Sequence, residues 1–199
     1  MSEHKGLPIL SFPSQSDWLS WLASQGDKTS GIWLKFAKKT SGVPSVSKAQ
    51  AIESALAHGW IDGQLDKFDD QFWLVRFTPR GSKSNWSQVN RETALRLIDA
   101  GQMSPSGLRQ VEQAKANGRW EAAYAPQSRA EIPDDLAAAL NANPKAATFF
   151  AGLTGPNRYA VLYRIGDART EKTRAARIEK FVAMLERSET VYPTKRANP

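Results

Sequence analysis

Gln71-Phe-Trp-Leu-Val-Arg-Phe-Thr78 is the clearest strand in the chain and the anchor for its fold. Phe72, Leu74 and Arg76 alternate with Trp73, Val75 and Phe77, and Pro79 ends the run. Upstream, Gly31 to Lys39 reads as a half-buried strand with Ile32, Leu34 and Phe36 on one face. Between the two, Ser47-x-x-Gln50 forms a capping box that opens a helix with Ile52, Ala55 and Leu56 inward. Gly59 is expected to end that helix, Trp60-Ile61 to begin a short strand, and Asp62-Gly63 to mark a turn.

Helical spacing dominates further out. Ser16-Asp17 can cap a short helix carrying Trp18, Trp21 and Leu22. One helix is expected from about Ser87 to Ala100, with Ala94, Leu97 and Ile98 inward. Another begins at Ser104-Pro105 and stops at Gly118. Beyond residue 125 the chain reads as helical throughout, with Pro133, Pro144 and Pro156 at expected first positions. Its strongest helix runs from Thr170 to Arg187, where Ile178, Phe181, Val182 and Leu185 keep one stripe. All seven tryptophans fall in the first 120 residues, which sets a boundary near Ala125-Pro-Gln-Ser-Arg129. The expected organisation is a tryptophan-rich domain over 1–125, a helical module over 126–187 and a flexible tail over 188–199.

Composition excludes several kinds of chemistry. The chain has no cysteine, so disulfides, thiolate nucleophiles and Cys-based zinc sites are ruled out. Its two histidines are His4, in an N-terminus expected to fray, and His58, so no His-rich metal site is expected. No cofactor signature occurs: neither GxxxxGK[ST] nor GxGxxG is present. Ser82, Ser84 and Ser87 lack an elbow motif and an obvious base. The net charge of +7 divides into +3 over residues 1–125 and +4 over 126–199, with no polybasic tail. The apolar run near the N-terminus is short and interrupted by Pro8, and no segment approaches a membrane span, so a cytoplasmic protein is expected.

Candidate functional groups gather between His58 and Asn90. His58 and Asp62 read either as a proton-transfer pair or as a helix-end cation and a turn residue, and Gly59 keeps them off one helix face. Arg76, Arg80 and Lys83 can hold a carboxylate or phosphate beside the helix start at Ser84–Ser87, with Asn90 one turn on; the alternative is a solvated basic loop. An inward Arg76 needs a partner, and Asp62 is the preferred one. Trp60 and Trp86 are read as pocket walls, while Trp18, Trp21 and Trp33 sit on core faces. Asp66, Asp69 and Asp70 read as a solvated acidic cluster. Arg169, Lys172, Arg174, Arg177 and Lys180 give the last helix a basic side, either for acidic partners or simply its outer face.

The run GWIDG at 59–63, FTPR at 77–80, S-x-W-S-x-x-N at 84–90 and G-R-W-x-x-A-Y at 118–124 resembles the YdeI/OmpD-associated family, also called bacteriocin-protection proteins. Pro133-x-Asp-Leu, Phe149-Phe150 and the segment Glu171 to Ile178 resemble the helical module of that family. The resemblance covers roughly residues 15–187. It implies an α+β unit, a small mixed sheet with flanking helices, followed by a C-terminal helical module. It also implies an association with envelope stress, resistance to cationic antimicrobial peptides and an outer-membrane porin, with no catalytic residues to carry over. Some members of the family are periplasmic, whereas this chain shows no export signal.

Two functional expectations follow. The first is a non-catalytic protein that binds a small anionic or amphipathic ligand in a cleft lined by Trp60, Asp62, Arg76, Arg80, Trp86 and Asn90. The second is an enzyme that uses His58 and Asp62 for proton transfer. Nucleic-acid binding through the basic helix is the weakest alternative, and the sequence leaves the oligomeric state open.

Overall fold

A computed structural model describes residues 2–25 and 28–193. The chain divides into two units, 1–123 and 124–199.

The first unit is built on a five-stranded mixed sheet with the order β1-β2-β3-β5-β4. Its strands are β1 (Glu3–His4), β2 (Leu7–Leu10), β3 (Ile32–Ala37), β4 (Trp60–Lys67) and β5 (Phe72–Pro79). β2 and β3 run parallel, and the other neighbours are antiparallel. The parallel pair requires a crossover, which α1 (Gln15–Gln25) supplies. α2 (Lys48–Ala57) joins β3 to the edge strand β4. Trp18 and Leu22 from α1 and Ala51 and Ala55 from α2 bury one sheet face with Ile32, Leu34, Phe36, Val75 and Phe77. The opposite face carries a smaller cluster of Ile9, Trp33 and Leu74. α3 (Gln88–Asp99) and α4 (Pro105–Ala116) pack Ala94, Leu97 and Val111 around Trp86 and Trp120.

Two sequence expectations are corrected here. The N-terminus does not fray at His4. β1 and β2 form a hairpin whose Lys5-Gly6 turn has positive φ at both residues, 48° and 76°, the turn type that matches strand twist. The His4 ring meets Trp33 edge-on at 4.7 Å, and its Nε2 lies 3.0 Å from Asp66 Oδ2. The hairpin escaped sequence reading because its strands span two and four residues and Pro8 demotes the second.

The second correction concerns Asp62-Gly63. These residues do not turn the chain. β4 continues to Lys67 through a bulge between Asp62 and Leu65. The turn comes at Asp69, whose Oδ1 accepts from Gln71 N at 2.8 Å and Phe72 N at 2.7 Å. The expected acidic cluster is therefore divided in role: Asp69 shapes the turn, and Asp66 pairs with His4 and with Lys5 at 2.7 Å.

The second unit holds α5 (Asp134–Asn141), α6 (Pro144–Gly152), α7 (Gly155–Gly166) and α8 (Glu171–Glu186). Leu136, Phe150, Val161, Ile165, Phe181 and Leu185 fill its core. Pro144 takes the first helical position as expected, Pro133 sits one residue earlier as the N-cap of α5, and Thr170 caps α8 through Thr173 N at 3.1 Å. Of the expected tail, residues 194–199 lie outside the described residues. Tyr192 is held by Asn157 through two bonds, Tyr192 N to Oδ1 at 2.8 Å and Nδ2 to Tyr192 O at 3.2 Å.

Candidate functional site

The expected site residues are built into the first unit in quite different ways. Trp60 is 2% exposed and sits within the helix-covered core. Asp62 stands opposite Phe77 in the sheet register and so shares the helix-bearing face. Arg76 stands opposite Trp33 and is exposed on the other face. The alternation of a strand therefore separates these two charges, and among the described residues no ion pair joins them. Arg80 is 4% exposed. Its guanidinium lies 4.0 Å from the Trp86 ring centroid and donates to Asn85 O at 2.9 Å. Trp86 is itself buried beside Trp120. Asn90 occupies the third position of α3, where its N–H donates to the cap Ser87 Oγ at 3.1 Å. Asp62 and Arg76 therefore stand on opposite faces of the sheet and do not line one cleft together, and Trp60 and Trp86 are buried in the core.

The His58–Gly59 segment is a joint between elements. His58 caps the C-terminus of α2, and its Nδ1–H donates to Ser54 O at 3.0 Å. Ser106 Oγ donates to His58 O at 3.0 Å, while Ser104 N and Oγ both donate to Ala57 O. Arg80 N donates to Gly59 O at 2.9 Å. Gly107 completes the joint, since a Cβ there would stand 2.2 Å from Ala57 O. No hydrogen bond links His58 to Asp62 among the described residues, and the His58 ring is engaged with Ser54 O instead.

A different place in the same unit gathers chemistry. A cavity of about 440 Å³ opens where the end of β3, the loop 38–47 and the start of α2 meet. Lys38, Lys39 and Lys48 line it together with Trp73, Phe36 and Gly42, and no carboxylate does. Trp73 stacks on Phe36 with centroids 4.9 Å apart at 26°, and Lys48 Nζ lies 5.9 Å from the Trp73 ring centroid. Lys38 Nζ donates to Asp69 O at 2.9 Å, which uses one of its three donors. Among the described residues none of the three lysines has an ion-pair partner. A neighbouring cavity of about 280 Å³ shares Val43 and Ser45 with the first and adds Lys35. Lys35 Nζ sits 4.4 Å from the Phe72 ring centroid.

Local folding explains this convergence. Ser47 accepts from Gln50 N at 3.3 Å while Gln50 Oε1 accepts from Ser47 N at 3.1 Å, so the capping box fixes where α2 begins. Lys48 then occupies the first helical position, with a cation where the helix dipole favours an anion. Gly42 turns the loop back with φ of 68°. From sequence alone Lys39 is only the end of a strand, and Lys38, Gly42 and Lys48 carry no assigned role. The available signal was the mismatch itself: a lysine directly behind a capping serine violates a local rule, and such violations concentrate at functional places.

Among the described residues no three His, Asp or Glu side chains gather within reach of one ion. Among them, too, no helix is long and apolar enough to cross a membrane. The basic side of α8 is partly engaged: Arg174 donates to both Asp135 oxygens, and Arg177 lies 3.8 Å from Asp167. The Arg174 guanidinium holds the Asp135 carboxyl below its ordinary range.

Comparison with known families gives two matches. A family model described as Domain of unknown function (DUF8412) matches residues 10–110. A second, described as Bacteriocin-protection, YdeI or OmpD-Associated, matches residues 129–188. No curated protein and no solved structure matches the chain.

Proposed function

Since the chain belongs to the family of that domain of unknown function through residues 10–110, and carries a bacteriocin-protection, YdeI or OmpD-associated domain at 129–188, we propose that it is a non-catalytic ligand-binding protein of a resistance response. The first unit binds a small anion that carries a flat apolar group. The observation that carries this reading is the cleft of Lys38, Lys39 and Lys48 beside the Trp73 ring, with no carboxylate in its lining. Three cations supply the charge, the free first-turn amides of α2 add donors, and the indole face offers a stacking surface.

The charge sign also bears on the resistance role. A cationic peptide meets repulsion at this cleft, so direct capture of such a peptide there is disfavoured. Protection then follows from sensing or sequestering an anionic metabolite. The expected ligand class is the one read from sequence, a small anionic or amphipathic molecule, with the site moved from Asp62 and Arg76 to the lysine cleft.

Calorimetric titration with 1-naphthyl phosphate, inorganic phosphate and 1-naphthol tests this reading. Naphthyl phosphate is expected to bind more tightly than either fragment, and added salt is expected to weaken it. Replacing Lys39 and Lys48 together by Gln should weaken binding at least about tenfold, at roughly 1 kcal/mol for each charge-assisted contact. Equal affinity for wild type and the double variant, or no binding by wild type, overturns the proposal.

A further inference from the structure

The second unit contains a cavity of its own, of about 690 Å³, between α5, α6 and the start of α7. This volume falls in the range of about 300–1,000 Å³ usual for small-molecule sites. Its walls are mostly aliphatic and aromatic, with Leu140, Phe150 and Leu153 prominent and Asn141, Thr154 and Arg158 as the polar members. No carboxylate lines it.

Arg158 is the one charged group in that lining. Its guanidinium lies 4.6 Å from the Phe150 ring centroid, and Nη1 donates to Phe150 O at 3.5 Å. Among the described residues no carboxylate pairs with it. The ring contact and the single carbonyl bond leave most of the guanidinium donors unspent, the state in which arginine recognises a carboxylate in bidentate fashion. Two further features share that end of the cavity. Thr154 is the N-cap of α7, yet its hydroxyl makes no capping bond, and the first turn of the helix contains no acidic residue. Arg158 stands in that same first turn, a cation at the positive end of a helix. An anion resolves all three mismatches together.

We propose that this cavity binds a free aliphatic carboxylate, with its chain among Leu140, Phe150 and Leu153 and its head group on Arg158 and the Thr154 hydroxyl. A cationic amphiphile is rejected by the arginine, and an uncharged one leaves the arginine unmatched. The site is separate from the lysine cleft and does not rest on it.

The test is calorimetric titration of the full chain with decanoate below its micelle concentration, against decyltrimethylammonium and decanol. Decanoate is expected to bind one to one, the cationic analogue not at all, and the alcohol more weakly. Arg158→Gln should weaken decanoate about tenfold or more without altering the far-ultraviolet circular dichroism spectrum. Ala151→Trp, a lining position exposed to solvent, should block the cavity and abolish binding with Arg158 intact. It decides the matter if the arginine variant fails to fold. The Lys39→Gln, Lys48→Gln protein should bind decanoate as wild type does, so the two sites fail or stand separately. Absent binding to wild type, equal affinity for the cationic analogue, or undiminished binding by the Ala151→Trp protein overturns the proposal.

Discussion

Arg80 and Asp66 show how a charge in this protein is spent on architecture. Arg80 lies under the Trp86 ring and donates to Asn85 O, so its buried charge is dispersed over an aromatic face and a carbonyl. Asp66 does the opposite at the surface. The Lys5 ammonium and then the His4 ring hold its carboxyl at about 2, below the ordinary 3.8. A lowered carboxylate stabilises the folded state above its ordinary value and loses that contribution as pH falls through the folded one. The Asp66 contacts tie β1 back onto the sheet, so the hairpin should feel this titration. Asp66→Asn is expected to lower the urea unfolding midpoint at about pH 6, with the two proteins converging as pH drops toward about 2. A gap that persists at the acid end would show that the carboxylate charge is not what holds the hairpin. Added salt should shrink the effect at neutral pH, because Lys5 is half exposed.

Where elements meet, the decisive residue is a small one. Ala57 O receives Ser104 N at 3.0 Å and Ser104 Oγ at 2.8 Å, so the last carbonyls of α2 are satisfied by the start of α4. That approach needs Gly107, since any Cβ would stand 2.2 Å from Ala57 O. Gly107→Ala is expected to cost about 1–3 kcal/mol as an overpacked contact, read as a lower denaturant midpoint at unchanged m-value. A neutral outcome would mean that the two elements separate freely. This joint also explains why GWIDG misled the sequence reading. A run of glycines and polar residues between helix and strand looks the same whether it serves a ligand or a close backbone approach. Periodic segments were legible because burial imposes their pattern: β3, β5 and the Ser47 capping box stand where the alternation and the cap place them. What was not legible depends on register. Asp62 and Arg76 belong to neighbouring strands, and only the pairing of Asp62 with Phe77 and of Trp33 with Arg76 assigns them to opposite faces. The lysine cleft was hidden for a similar reason, since Lys39, Lys48 and Trp73 meet only through the folded loop.

At the scale of the whole molecule, composition offers a way to follow the two units separately. Every tryptophan lies within residues 1–123, whereas the helices of 124–199 contribute to circular dichroism without any indole. Each unit also fills its core from its own residues: Trp18, Phe36 and Phe77 in the first, Leu136, Phe181 and Leu185 in the second. Leu185 is fully buried and lines neither of the proposed ligand cavities. Leu185→Ala should therefore remove about 2–5 kcal/mol of packing from the helical unit. A unit of this size has only a few kcal/mol to spare, so that loss should melt it at a markedly lower temperature. Tryptophan fluorescence is expected to report an unchanged transition in the same sample, while ellipticity at 222 nm shows an early loss of helix. Coincident shifts in both probes would instead mean that the chain unfolds as one cooperative body, and the boundary near residue 123 would then mark a seam in contacts with no thermodynamic meaning.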